Sequence, residues 1–96
     1  EGDLIAEALG DKKVIILQNH GILTTGPSVD IALWFYTSME RCCQAQLMAD
    51  AAGETQLIPH DTAIKTRSFI ANDVAAWASF QPAFDMICKK EPDLFD

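Results

Sequence analysis

The tripeptide Asn19-His20-Gly21, set between two apolar runs, is the feature that most constrains the fold of this chain. Residues 14–17 are continuously apolar and mostly β-branched, as expected for a strand covered on both faces, and residues 22–25 continue as its hairpin neighbour. Gly21 adopts tight-turn backbone conformations easily. The pattern therefore predicts two adjacent strands with His20 at the sharp turn between them.

A histidine at such a turn has two possible roles. Its neutral imidazole can donate a lone pair to a metal ion, or it can act as a hydrogen-bonded turn residue. A catalytic zinc needs three protein ligands, and no further ligands are visible near His20 in the sequence. The residues by themselves leave both roles open. The only other histidine, His60, lies beside a proline in a polar stretch and is interpreted as structural or exposed.

Helical patterns account for most of the remaining chain. The spacing of apolar residues, and the residues that typically begin or end helices, predict helices over residues 3–9, 29–52, 59–71 and 74–90. Gly10 suits the C-terminal cap of the first helix, and Ser28 is the expected N-cap of the second. Asp61 or Thr62 is expected to cap the third. Pro82 is expected to kink the fourth helix or to begin a new turn.

The long second helix carries more apolar surface than packing on one sheet face requires. Its stripe consists of Ile31, Phe35, Met39, Cys42 and Ala49, and it is widened by Leu33, Trp34, Tyr36, Cys43 and Leu47. The excess could line a cofactor pocket, but packing against other helices or a neighbouring subunit is the simpler interpretation. In the tail, Leu94 and Phe95 are expected to dock on the domain. Thr24 and Thr25 are interpreted as strand residues and not as substrate contacts.

Charge and composition exclude several classes of function. The chain has fourteen acidic and seven basic residues, for a net charge of −7, and the basic residues are scattered along the sequence. Nucleic-acid binding requires clustered positive charge and is not expected. No apolar stretch is long enough to span a membrane, and no signal-peptide pattern opens the chain. Three cysteines without a disulfide pattern indicate a reduced protein, so a cytoplasmic location is expected.

The order of these elements resembles the second half of a class II aldolase/adducin domain. The resemblance rests on strand, Asn19-His20-Gly21, strand, Gly-Pro-Ser-Val-Asp30, and a long helix that includes Ala32–Tyr36 and Met39–Leu47. It implies a three-layer α/β/α fold, here a hairpin with three or four helices, and family members of unassigned activity look closest. It further implies that His20 is the third imidazole ligand of a catalytic zinc, with Asn19 and Gly21 as second-shell or turn residues.

The resemblance also implies what this chain does not contain. The family's other two zinc ligands form an upstream His-x-His pair, and neither this pair nor the catalytic acid or the phosphate-binding loop has a counterpart here. Residues 1–96 are therefore expected to be the C-terminal portion of a single domain, in which the two strands would pair with strands from elsewhere. The catalytic residue is unknown.

The implied function is that of a metal-dependent carbon–carbon lyase. It would act on a small sugar-derived or hydroxy-carbonyl compound through a metal-stabilised enediolate. The implied assembly is a homo-oligomer, with a tetramer favoured, and neither nucleic acid nor membrane is expected as a partner. The alternative is a non-catalytic, adducin-like oligomeric scaffold. Substrate and stereochemistry cannot be read from the sequence.

Overall fold

The computed structural model describes residues 1–96 as a helical chain with one β-hairpin. The elements are α1 (Gly2–Leu9), β1 (Val14–Leu17), β2 (Gly21–Thr24), α2 (Val29–Ala52), α3 (His60–Ile70), α4 (Asp73–Lys90) and a 3₁₀ helix (Pro92–Phe95). The predicted bounds of β1 and α2 are confirmed at both ends. The predicted second strand is confirmed with a shift of one residue towards the turn.

The hairpin lies between two helical layers. The strands are antiparallel, with Ile15 opposite Leu23 and Val14 opposite Thr24, so these two pairs point to opposite faces of the sheet. On one face, α1 packs along β1. On the other, α2 packs on the hairpin, and the Thr24 hydroxyl donates to the Ala32 carbonyl at 2.9 Å. This is the predicted α/β/α arrangement, and Thr24 is a structural strand residue.

The core is small and lies where α2, α4 and β1 meet. Only Ile31, Phe35 and Ala76 are buried among the 96 residues, and Val14 packs against them from the sheet. The expectation that the first strand is covered on both faces is wrong at Ile16, which is 61% exposed. The reason is that α2 lies over β2 more than over β1, so nothing covers the middle of β1 on that face.

Asp30 joins the start of α2 to α4. Its carboxylate accepts hydrogen bonds from the Ile31 backbone N–H at 3.1 Å and from the Gln81 side-chain amide at 3.3 Å. The pKa of Asp30 is lowered, first by a hydrogen bond with Ser28 and also by its backbone and Gln81 donors. Ser28 is the N-cap residue, as predicted, although its side chain makes no capping bond to the helix backbone.

Lys13, just before β1, contacts the junction between α3 and α4 through a hydrogen bond and an ion pair. Its ammonium group donates to the Ala71 carbonyl at 2.7 Å and lies 3.5 Å from the Asp73 carboxylate. It also lies 4.7 Å from the centre of the Phe35 ring, within the range of a cation–π interaction. A single side chain thus contacts the core and two helices distant in sequence.

The starts of α3 and α4 differ from the sequence prediction. The N-cap of α3 is Pro59, and not Asp61 or Thr62. Proline is compatible with a helix start because the first backbone N–H groups have no intrahelical acceptor. Helix α4 begins at Asp73, with Asn72 as N-cap accepting from the Ala75 N–H at 2.8 Å. It continues through Pro82 as one helix, so no new helix begins there.

Much of the second half of the chain is exposed. Every residue from 44 to 70 is exposed, including Leu57 at 95% and Phe69 at 82%. The 3₁₀ helix lies against the end of α4, but Leu94 and Phe95 remain 59% and 71% exposed, so the expected docking of these side chains is not found in this chain. None of the helices is long and apolar enough to cross a bilayer.

With three buried residues, residues 1–96 expressed alone are expected to unfold without a cooperative transition. Burial of apolar surface supplies both the stability and the heat-capacity change of unfolding, and little of it is present here. Differential scanning calorimetry of the isolated 96 residues should show a broad, shallow signal. A sharp two-state transition with a large heat-capacity change would contradict this expectation.

Candidate functional site

The turn that carries His20 is a tight β-turn with one left-handed residue. The Leu17 carbonyl accepts from the His20 backbone N–H at 3.1 Å, which closes the turn over Gln18 and Asn19. Asn19 has a φ of 61°, and Gly21 follows with a φ of 134°. The predicted sharp turn between two strands is therefore confirmed, with its bend made by Asn19 and Gly21.

The residue types at the turn match these backbone requirements. Positive φ is costly for most L-residues, and asparagine and glycine adopt it more readily than others. The sequence analysis left Asn19 as either a second-shell or a turn residue, and its φ supports the turn role. The His20 backbone is used in the turn bond while its side chain is exposed. The imidazole is thus presented outward from a constrained loop.

His20 also lines an open groove between α1 and the hairpin. The groove has a volume of about 420 Å³, and its floor is apolar, formed by Leu4, Ile5, Ala8, Ile15 and Leu17. Glu1, Gln18 and His20 supply its polar groups. A single imidazole beside an apolar floor can coordinate or hydrogen-bond a ligand, but this chain places no second imidazole there.

The residues of this chain do not form a complete metal site. No group of three histidine, cysteine or acidic side chains is close enough to hold a metal ion. His60, the other histidine, is the first residue of α3 and is exposed. Cys42, Cys43 and Cys88 are all unpaired thiols, in agreement with the absence of a disulfide framework. These residues therefore do not complete a metal site around His20.

A second cavity brings together cations that appeared scattered in the sequence. It has a volume of about 800 Å³ and lies between the α1–β1 loop and α3, lined by Lys12, Lys13 and Arg67. Asp11 is also in this cleft, and its pKa is lowered, mainly by a hydrogen bond from Lys12 and further by the positive charge of Arg67. Adjacent lysines were visible in the sequence, but no local pattern could place Arg67 beside them.

Comparison with known proteins identifies the family. Residues 1–47 match the Class II Aldolase and Adducin N-terminal domain. The chain is 38% identical to decarboxylase NovR of Streptomyces niveus over 94 residues, which are 98% of this chain and 35% of NovR. It is also 38% identical to alpha-adducin of Rattus norvegicus over 58 residues, which are 57% of this chain and 8% of alpha-adducin.

A solved structure agrees with these sequence matches. The L-fuculose 1-phosphate aldolase from Glaciozyma antarctica PI12 superposes with a TM-score of 0.93 and 40% sequence identity, covering 97% of this chain and 37% of that one. The chain belongs to the class II aldolase and adducin family. It spans about a third of the length of NovR and of this aldolase.

Substitution of Asn19 should separate its backbone role from any role of its side chain. Asn19→Val is expected to lower the free energy of unfolding by about 1–2 kcal/mol, because a β-branched residue is strained in the left-handed region. Asn19→Gly is the matched control and should be close to wild type, measured by urea denaturation. Equal stability of both variants would contradict the backbone role.

Proposed function

We propose that residues 1–96 are the C-terminal portion of a single class II aldolase-type domain. Both edges of the two-stranded sheet are unpaired, and strands in this state normally continue into a larger sheet. The small core supports the same proposal. So does the superposition, in which nearly all of this chain corresponds to about a third of the aldolase.

We propose that His20 contributes one ligand to a catalytic zinc in that domain. The support is geometric: the turn from Leu17 to Gly21 fixes the backbone, and the imidazole is exposed at the end of an apolar groove. A catalytic zinc takes three protein ligands and keeps one position open. Because His20 is the single candidate here, the other ligands would come from the rest of the polypeptide.

The reaction we propose is cleavage of a carbon–carbon bond in a small sugar-derived or hydroxy-carbonyl compound. The observation that carries this proposal is the 0.93 TM-score and 40% identity to a fuculose-phosphate aldolase over 97% of this chain. When bound, zinc supplies a Lewis-acid charge that stabilises the oxyanion left by bond cleavage. In this chain, His20 would hold the metal, and Asn19 and Gly21 would fix the position of His20.

The similarity to decarboxylase NovR adds decarboxylation to the carbon–carbon bond cleavages that we propose for this chain. Decarboxylation also breaks a carbon–carbon bond and leaves negative charge beside a carbonyl group, so it needs the same electrostatic stabilisation. The common proposal is therefore a lyase that cleaves a bond next to a carbonyl.

The alternative function is a non-catalytic, adducin-like oligomeric scaffold. The match to alpha-adducin favours it. Both functions use the same fold, and they differ in whether the rest of the polypeptide completes the metal site. For either, we propose self-association, with a tetramer favoured, and a cytoplasmic location consistent with the three unpaired cysteines.

Metal content is expected to depend on His20 and not on His60. In the complete polypeptide, His20→Ala should lose most bound zinc and lyase activity and keep its thermal stability, because the exposed ring contributes little buried area. His60→Ala is the matched control, since it removes the other exposed histidine. Both are measured by metal analysis after dialysis, alongside a thermal melt.

The opposite pattern would identify a structural turn histidine. His20→Ala would then leave metal content unchanged and destabilise the protein by about 1–2 kcal/mol, because its imidazole would hydrogen-bond to a part of the polypeptide outside residues 1–96. Absence of zinc from the wild type after supplementation would remove the enzyme proposal and favour the scaffold.

The exposed apolar side chains of α2, α3 and α4 lead us to expect an oligomer in solution. They include Leu47, Phe69, Trp77 and Phe84, together with Leu57 in the loop between α2 and α3, and closed symmetry would bury them. Sedimentation equilibrium of the complete polypeptide at tens of micromolar should give a mass above the monomer, with a tetramer favoured. A single monomeric species would contradict this expectation.

A further inference from the structure

The cleft between the α1–β1 loop and α3 differs from the rest of the surface in charge. The chain carries a net charge of −7 and seven basic residues, and three of them, Lys12, Lys13 and Arg67, line this cavity of about 800 Å³. Its floor includes the apolar side chains of Val14 and Ile64. A concave surface with cationic sides and an apolar floor suits a ligand that is both acidic and apolar.

The three cations of the cleft are not equally engaged. Lys13 is held by the Ala71 carbonyl and by Asp73. Lys12 pairs with its exposed sequence neighbour Asp11 at 2.6 Å, a kind of contact that an incoming carboxylate can replace at little cost. The chain has no other ion pairs, so Arg67 has no carboxylate within ion-pair distance. Arg67 is therefore the main cation available to a ligand.

The segment Glu91–Asp96 has the complementary chemistry. Three of its six residues are acidic, Glu91, Asp93 and Asp96, and between them Leu94 and Phe95 are 59% and 71% exposed. The 3₁₀ helix over Pro92–Phe95 holds these side chains in a short, ordered turn. Ordering before binding reduces the entropy lost when such a segment docks.

The tail cannot reach the cleft of its own chain. The cleft includes Ala71 and Asn72, immediately before α4, whereas the tail follows the opposite end of this helix. The 18 residues of α4 span about 27 Å at 1.5 Å per residue. Six residues, even when fully extended, reach only about 20 Å. An acidic-apolar tail that enters this cleft must therefore come from another molecule.

We propose that the cleft formed by Lys12, Arg67, Val14 and Ile64 binds the Glu91–Asp96 tail of a second copy of this chain. The tail's carboxylates pair with Arg67 and Lys12, and Leu94 and Phe95 lie on the apolar floor. Because the donor and acceptor surfaces differ, this is a head-to-tail contact, which closes into a ring in a cyclic oligomer. The inference rests on the proposed self-association and specifies one contact within it, independently of the metal chemistry.

The test measures binding of the tail as a free peptide. A fluorescein-labelled peptide with the sequence of residues 89–96 is titrated with the complete polypeptide carrying Leu94→Ser and Phe95→Ser, so that its clefts are not already filled by the tails of neighbouring copies. Fluorescence polarisation is recorded at low and high salt. Saturable binding that weakens with salt is expected, because screening reduces charge pairing. Arg67→Glu in the protein should weaken binding by roughly tenfold or more, since it replaces an attractive charge by a repulsive one.

Two controls make the result specific. Lys65→Glu changes the same charge on the same helix outside the cleft, and it should bind the peptide like wild type. A peptide with Leu94→Ser and Phe95→Ser should lose most of its binding although its charge is unchanged. A peptide with Asp93→Lys should regain affinity for the Arg67→Glu protein.

Three results would overturn the proposal. They are absence of saturable binding, equal weakening by Lys65→Glu and Arg67→Glu, and retained binding of the Ser-substituted peptide together with competition by pyrophosphate. The last would identify a simple anion site. Polarisation requires neither zinc nor turnover, so a negative result leaves the lyase proposal untouched, and a failure of the zinc prediction leaves the tail contact untouched.

Discussion

The packing of α2 between the hairpin and α4 is the interaction on which the rest of this structure depends. Ile31 and Phe35 on α2 meet Ala76 on α4, and these three are the buried residues of the chain. Lys13 reinforces the same junction from the sheet, through Phe35, the Ala71 carbonyl and Asp73. Asp30 and Gln81 join the two helices at the start of α2. Without this junction, the hairpin would be a two-stranded ribbon of marginal stability.

This arrangement explains how a chain with so little buried surface can still present a defined turn. The turn needs only its own hydrogen bond from His20 to Leu17, a left-handed Asn19, and two strands kept in register. The register is fixed because one face packs on α1 and the other on α2, and a slip by one residue would exchange the two faces. His20 is thus positioned by local geometry, whereas the zinc site proposed for it needs further ligands that residues 1–96 do not bring together.

The distribution of charge and apolar surface has a related consequence. An acidic chain with many exposed apolar side chains is subject to both attraction and repulsion between copies. Apolar burial favours association, and the net charge of −7 opposes close approach except where cations are clustered. The cleft with Lys12 and Arg67 is such a place. In the proposed self-association, the charge pattern would act on specificity, while apolar area would supply most of the driving force.

The sequence by itself determined the elements whose signals are local. The apolar run before Asn19-His20-Gly21 predicted β1 and the turn, and the Gly-Pro-Ser break with Gly53 delimited α2, because backbone sterics and capping act over a few residues. The α/β/α class was implied by the resemblance of this order of elements to the class II aldolase/adducin domain. The start of α3 was predicted to within one residue, but its N-cap is Pro59 and not Asp61 or Thr62, which have the side chains that usually cap helices. Tertiary structure alone decided that Ile16, Leu94 and Phe95 are exposed, because exposure depends on which surfaces other elements cover. It also decided that Arg67 lies in one cleft with Lys12, because these residues are more than fifty positions apart in the sequence.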